Sequence, residues 1–339
     1  MLVIGGCSEP ETYVRTEVEI PVKITEVTRK RIEETTIATG TVTATVDILV
    51  KSEIEGAYNL QINPRTGKKY GVGDAVMKDE VTVLLENPEQ ENKIRFDSQK
   101  LSLENAEENL KQQQMLYEKG GVSLSELKSA QQKLIDAQYS FQSTLMQLEQ
   151  FKVKVPFDGI IASLPYYPPK FMAPANSDMF QLMDYRTLHL EVNLPGKMMG
   201  VVREGMMVRV TSYLLPDKVL PATIAHVAPV LEPNTRTFGI LIEVDNSGLV
   251  LKPGMFVKAE IITQSRPNAI VIPKDIIMVR RTEKTVYVVT EGVAQQRRIT
   301  TGLENQDEAE VIDGLEENEF LVIEGFETLR NGAQVTITR

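Results

Sequence analysis

Two short stretches repeat one pattern and bracket a segment of helical periodicity, and this arrangement limits the fold more than any other feature. Val50-Lys51-Ser52-Glu53-Ile54-Glu55-Gly56 aligns with Val153-Lys154-Val155-Pro156-Phe157-Asp158-Gly159, with Val, Lys, an acidic residue and Gly at matched positions. Between them Phe96, Leu103, Leu110 and Tyr117 recur every seven residues. After Gly120-Gly121, Leu127, Leu134, Phe141 and Leu148 do the same, so the two sets mirror each other about residue 122. Such a pattern suits an antiparallel helical hairpin that buries one seam along its length. Paired in this way, Tyr117 meets Leu127, Leu110 meets Leu134, Leu103 meets Phe141 and Phe96 meets Leu148. A β module split by a hairpin is a spacer, and a spacer points to reach and not to catalysis.

The chain has 339 residues, enough for two to four domains. Its net charge is 37 − 47 = −10, which argues against a nucleic-acid partner. Tryptophan is absent and aromatics are sparse, which argues against a sugar- or base-stacking groove. No run of 18 apolar residues occurs, so no stretch reads as a membrane-spanning helix. The single cysteine, Cys7, follows Ile4-Gly5-Gly6. That sequence resembles the lipobox of bacterial lipoproteins, in which the cysteine is acylated. Residues 1–6 are too short for a whole signal peptide and read as the tail of one.

Residues 8–16 are polar and read as a tether, and Val18 to Val46 are rich in β-branched residues, as in strands. Residues 47–85 form the first half-module, with turns at Asn63-Pro64, Thr66-Gly67 and Gly71-Val72-Gly73-Asp74. Asn87, Pro88 and Gln90 supply an N-cap, a first-turn proline and a capping-box partner. Each arm of the hairpin has about 30 residues, hence about 45 Å of helix. The second arm carries a further stripe of mostly small residues, Ala130, Ala137, Thr144 and Phe151, whereas its counterpart in the first arm (Asn92, Gln99, Ala106, Gln113) is mostly polar. With one well-filled seam the hairpin is marginal alone and gains from neighbouring hairpins in an oligomer. Beyond it, Leu188, Leu190, Val192 and Leu194 alternate with polar residues, and further strands are predicted near 207–213, 219–228, 236–245 and 255–263, as in a small antiparallel barrel. Lys252-Pro253-Gly254 predicts a type II turn, and turns at Glu291-Gly292, Asp313-Gly314 and Asn331-Gly332 divide a last β-rich module.

Several of these pieces resemble one family, the periplasmic adaptors (membrane fusion proteins, HlyD-like) of tripartite efflux systems that serve resistance-nodulation-division (RND) pumps. They are Gly40-Thr41-Val42, Val155-Pro156-Phe157-Asp158-Gly159, Pro229 to Thr237, Leu251-Lys252-Pro253-Gly254-Met255-Phe256, Val271-Ile272-Pro273 and Gly314-Leu315. The resemblance implies a mostly β, elongated, multi-domain chain with an inserted α-helical coiled-coil hairpin. Its parts would be a tether (1–16), a membrane-proximal β domain (17–35 and 266–339), a β-barrel (36–46 and 187–265), a lipoyl-like barrel-sandwich (47–86 and 153–186) and the hairpin (87–152). It also implies an inner-membrane transporter and an outer-membrane channel as partners, a homo-oligomer (a hexamer in the family), and a periplasmic location in a Gram-negative bacterium. Cys7 would anchor the chain to a membrane, most simply the inner one, by its lipid. The family's channel-docking pattern at the hairpin tip, Arg-x3-Leu-x6-Ser, falls on Gln112, Leu116 and Ser123, with glutamine in place of the arginine fork. Lys111 stands next to that departure. The basic doublets Arg280-Arg281 and Arg297-Arg298 lie in the module expected to face the pump; Arg280 and Arg281 are the candidate transporter contact.

Other readings have less behind them. A lipoyl or biotinyl carrier needs a lysine in a tight turn between its half-modules, and here helices fill that connection, so no cofactor is implied. Metal export would draw on thioethers such as Met198, Met199, Met206 and Met207, or Met172, Met179 and Met183. Methionine is as readily a core residue, and Met206-Met207 point to opposite faces of a strand. His189 and His226 form no catalytic constellation, His189 falls on a polar strand face, and no phosphate-binding glycine loop is present. The chain therefore does not read as an enzyme. The remaining alternatives are an adaptor for an ABC-type exporter and an envelope scaffold without a pump.

Overall fold

The computed structural model describes residues 19–168, 171–280 and 283–338. Strands β1 (Ile20–Glu26) and β2 (Arg29–Lys51) lead into β3 (Gly56–Leu60), β4 (Ala75–Val76) and β5 (Val81–Glu86). Helices α1 (Pro88–Ile94), α2 (Phe96–Glu118) and α3 (Leu124–Glu149) follow, then β6 (Lys152–Lys154), β7 (Gly159–Ser163), β8 (Met172–Ala173) and β9 (Asp178–Pro195). The chain continues through β10 (Met207–Ser212), β11 (Leu215–Val227), β12 (Thr237–Asp245) and β13 (Phe256–Pro273). It ends with β14 (Met278–Arg280), β15 (Glu283–Thr290), β16 (Val293–Glu304), β17 (Glu308–Asp313), β18 (Phe320–Glu324) and β19 (Ala333–Ile337). These elements form two compact units. One comprises Met1–Gly40, Leu190–Val244 and Phe256–Arg339, the other Thr41–His189 and Asp245–Met255.

In the second of these units the two repeated stretches interlock. The strand that opens on Gly56 pairs with the two-residue strand β8, Gly56 opposite Ala173. The strand that opens on Gly159 pairs with the two-residue strand β4, Gly159 opposite Val76. Each half thus lends a short strand to the other. Between the sheets lies a core of Val76, Val83, Leu85, Val153, Ile161, Phe180 and Leu182, all buried. Both glycines stand where backbones come too close for a side chain. A Cβ on Gly56 would lie 2.9 Å from Leu85 Cβ, and one on Gly159 only 2.7 Å from Met183 O.

The hairpin leaves this sandwich between two paired strands, since β5 and β6 are hydrogen-bonded neighbours with Val83 opposite Val153. Asn87 caps α1, its side chain accepting from the Gln90 N–H at 3.2 Å. The first arm is not continuous: Arg95 adopts the left-handed conformation (φ 54°), which ends α1 and starts α2. Phe96 packs on Phe141, with ring centroids 5.6 Å apart. Leu148 and Ile94 pack against the sandwich core, which ties the base of the hairpin to it. The buried residues of α3 are Ala130 and Thr144, of the small stripe, while the large seam residues Leu127, Leu134, Phe141 and Leu148 are only half-buried. Small side chains let the helices approach, so they sit innermost.

The other unit holds a barrel and a C-terminal module. Strands β13, β10, β11, β12 and β9 are neighbours in that order, and β2 pairs with both β13 and β9 to close the ring. Val208, Val210, Ile224, Ile240, Ile242, Val257 and Ile261 are buried. In the C-terminal module β1 pairs antiparallel with β18 and parallel with β19, so residues from both ends of the chain share one sheet. Glu291 and Gly292, both with positive φ, join β15 and β16 in a two-residue turn whose twist matches the strands.

Replacing Gly159 with alanine should destabilise the sandwich by about 1–3 kcal/mol, the range for overpacking, because the obstacle is backbone. Gly71→Ala, where an added methyl meets nothing closer than 3.9 Å, serves as the control. Urea melts of the two variants check this: equal midpoints would contradict the close-approach account.

Candidate docking site at the hairpin tip

The turn between α2 and α3 is built by two motifs that satisfy the helix ends. At the end of α2 the Gly121 N–H donates to Leu116 O at 2.8 Å and the Gly120 N–H to Tyr117 O at 2.9 Å. Gly120 has φ 72°, so this is a Schellman closure. At the start of α3, Ser123 Oγ accepts from the Glu126 N–H at 3.3 Å while Glu126 Oε2 accepts from the Ser123 N–H at 2.7 Å. These bonds form a capping box, and the Ser123 N–H and hydroxyl hold the Glu126 carboxyl below its ordinary range. Ser123 therefore has a structural role at the tip. The signal was present in the sequence as Ser123-x-x-Glu126, three residues apart.

The same closure fixes what the tip exposes. Leu116 is 44% and Leu124 51% exposed on either side of the turn, with Met115 and Tyr117 similarly open. Gln112 is exposed one turn before Leu116. The structure thus brings Gln112, Leu116 and Ser123 to one end of the hairpin and adds Met115 and Leu124, which the spacing pattern did not single out. A rigid turn that presents apolar side chains fits docking against another protein.

The other candidates lie elsewhere. Arg280 ends β14, opposite Glu283 in the β14–β15 pairing, and β14 is the last strand in its sheet order. Arg281 and Cys7 lie outside the described residues. Arg298 pairs with Glu283 at 3.1 Å and Arg297 with Glu319. Met179 is buried in the sandwich core and Met207 is exposed on the barrel. Among the described residues no group of three or more His, Cys, Asp or Glu side chains is placed to hold a metal ion. No helix among them is long and apolar enough to cross a membrane.

Two predictions concern these regions. Ser123→Ala should cost about 1 kcal/mol at the start of α3, as a lost N-cap does, and should speed amide exchange in the first turn of α3 but not at its end. In the C-terminal module, the hydrogen bond from Lys284 overcomes partial burial and, with Thr301 and Lys274, holds the Glu304 carboxyl at about 2. A depressed folded value means this stabilisation is complete above the unfolded value of about 4.3 and is lost as pH falls toward 2. Melting curves between these limits should show a smaller pH slope for Glu304→Gln than for the native chain.

A family model described as CusB-like, beta-barrel domain, matches residues 187–265. One described as YknX, C-terminal permuted SH3-like domain, matches residues 269–337. The nodulation protein NolF of Rhizobium meliloti is 23% identical over 199 residues, covering 58% of this chain and 52% of the relative. The multidrug resistance protein MdtA of Klebsiella pneumoniae is 20% identical over 333 residues, covering 94% and 80%. A solved MacA–MexA chimera that contains the Pseudomonas aeruginosa MexA α-hairpin domain shares the fold with a TM-score of 0.59 at 21% identity, covering 88% of this chain and 99% of that one. The chain spans about half the length of the first curated relatives it matches. Two matched domain models in tandem, and a hairpin inserted into a β-sandwich upstream of them, make the chain similar to the membrane fusion proteins in its parts and in their order.

Proposed function

We propose that this chain is a periplasmic adaptor that links an inner-membrane efflux transporter, of the RND type, to an outer-membrane channel for export of drugs or other small molecules. The observation that carries this reading is the hairpin set into a β-sandwich, its closed tip presenting Leu116 and Leu124, in one chain with a barrel that matches the CusB-like model. The name of MdtA, a multidrug resistance protein that spans nearly the whole chain, fits the same reading. In this account the adaptor supplies geometry and the transporter supplies work.

Four structural domains divide the labour. The module of residues 17–35 and 266–339 faces the inner membrane and, through Arg280 and Arg281, the transporter. The barrel (36–46 and 187–265) and the sandwich (47–86 and 153–186) carry the hairpin (87–152) toward the channel, which it meets at Gln112, Leu116 and Ser123. An acylated Cys7 tethers the chain, with two or more acyl chains needed for stable anchoring. Neighbouring copies pack side by side. The outer face of α3 favours this, since Ile135, Tyr139 and Met146 are exposed there at spacings of four and seven residues. Single tips bury little surface, and a ring of them gains strength through multivalency.

Leu116→Asp should abolish export while leaving folding and membrane attachment intact; drug tolerance equal to the native level would overturn the tip assignment. Cys7→Ser should shift the protein from the membrane to the soluble fraction, and unchanged fractionation would remove the anchor from the account.

A further inference from the structure

The sandwich is apolar at one place on its outer surface where strand alternation calls for polar residues. Ile161 and Leu182 point into the core, so their neighbours Ile160 and Met183 point away from it. Ala75, Ile160 and Met183 stand opposite one another on β4, β7 and β9 and share that outer face. Ala75 is the small member of this row, and a hollow of about 270 Å³ opens there, lined also by Met77, Tyr185 and Leu249.

One wall of the hollow is preorganised. The loop after β12 is fastened by the buried Asn246, whose backbone N–H donates to Arg186 O and whose side-chain amide donates to Tyr185 O, both at 2.8 Å. Lys252, outside the lining, donates to the Tyr185 hydroxyl at 3.2 Å and fixes the ring. Leu249 donates its N–H to Asn246 O at 2.7 Å and does so at φ 52°. That backbone costs a leucine about 1–2 kcal/mol and a glycine almost nothing. Leucine supplies a side chain to the wall where glycine would supply none, and strain of this kind collects at binding sites.

The charges at the rim are paired except for one. Arg65 donates to Ala75 O at 2.6 Å and to Glu80 at 2.8 Å. Arg186 donates to both oxygens of Asp184, at 3.1 and 2.7 Å. Asp158 is the charge left over. Its Oδ1 accepts from the Lys78 N–H at 2.8 Å, which orients the exposed carboxylate. Its Oδ2 has no hydrogen bond or ion pair among the described residues, although Arg186 feels its charge. A fixed carboxylate beside an apolar hollow selects a cation, and a chain of net charge −10 draws cations toward it. A single carboxylate is too few ligands for a hard metal ion, and the apolar lining calls for a carbon body. The thioethers of Met77 and Met183 adapt to bodies of different shape.

We propose that this hollow binds a small organic cation, with its apolar body on Ile160, Met183, Met77 and Leu249 and its ammonium on Asp158 Oδ2. The volume lies just below the usual range of about 300–1,000 Å³ for ligand pockets and suits a body of one or two rings. The ligand is cargo, a step that rests on the adaptor reading, so the exported molecules include amphipathic amines.

The test titrates the purified full chain, labelled with carbon-13 at its methionine methyls, with 2-phenylethylamine, 2-phenylethanol and phenylacetate. These probes carry one ring and a positive, zero or negative charge at neutral pH. The amine should shift the Met77 and Met183 signals saturably, assigned with Met77→Leu and Met183→Leu, and should bind at least tenfold more tightly than the other two. Asp158→Asn keeps an acceptor for the Lys78 N–H and should weaken the amine about tenfold, equivalent to about 1.4 kcal/mol, at an unchanged melting temperature. Ala75→Leu fills the hollow from an exposed edge and should abolish binding of all three probes. Equal affinity for the three probes, no shift at either methionine, or native affinity for the amine in either variant would overturn the proposal. The titration involves neither transporter nor channel, so its failure leaves the adaptor reading in place. In cells, Asp158→Asn should lower tolerance of amphipathic amines and leave tolerance of acidic drugs unchanged. Native tolerance of the amines, in cells where Leu116→Asp abolishes export, would overturn the cargo step. If the titration succeeds and Leu116→Asp leaves tolerance native, the site stands without the adaptor reading.

Discussion

The pairing of β5 with β6 is the interaction on which the rest of the sandwich and hairpin depends. These strands are neighbours in space although the entire hairpin separates them in sequence, and the Leu85 N–H reaches Phe151 O at 2.8 Å across the base. Leu85 and Phe151 are both buried in the sandwich core. A chain that leaves one strand and must return on the adjacent one can only do so as an antiparallel pair of arms. The hairpin therefore inherits its direction from the sheet and its rigidity from the core beneath it. Helices this long gain most of their stability from such packing and little from intrinsic propensity.

Much of this was legible in the sequence, because it is carried by local signals of known geometry. Gly56 and Gly159 stand at matched places in the repeat since each half needs the same close approach to the other. Asn87-Pro88 marked the start of the first arm, and Pro253-Gly254 and Glu291-Gly292 marked turns whose backbones require positive φ at Gly254 and Gly292. The break at Arg95 was not legible. Arginine is a good helix former, and the break comes from the competing pull of the sandwich on Ile94 and Leu148, a tertiary effect. Nor could local patterning reveal that β1 would lie between β18 and β19, a pairing across nearly the whole chain.

The tip was partly legible. The resemblance implied Gln112, Leu116 and Ser123 as the docking residues of the tip, but it did not show that Ser123 also caps the helix there. In the structure Ser123 forms a capping box with Glu126, and Leu116 and Leu124 are exposed on either side of the turn. On the barrel, hydrogen bonds likewise fix the backbone of the 229–237 segment while Val230 and Arg236 are exposed. In both places a hydrogen-bonded backbone holds exposed side chains, as the proposed role of an adaptor requires. Its free energy is realised only in the assembly, and rigidity limits what assembly must lose in conformational entropy.

The central claim, that the chain bridges two membrane proteins, is tested most directly by purifying it from cells under mild detergent through an affinity tag and identifying what comes with it. The account predicts an inner-membrane transporter and an outer-membrane channel in the same eluate, with the channel lost and the transporter kept when the hairpin tip carries Leu116→Asp. An eluate that contains neither protein, at native expression and with the chain folded, would contradict the adaptor function.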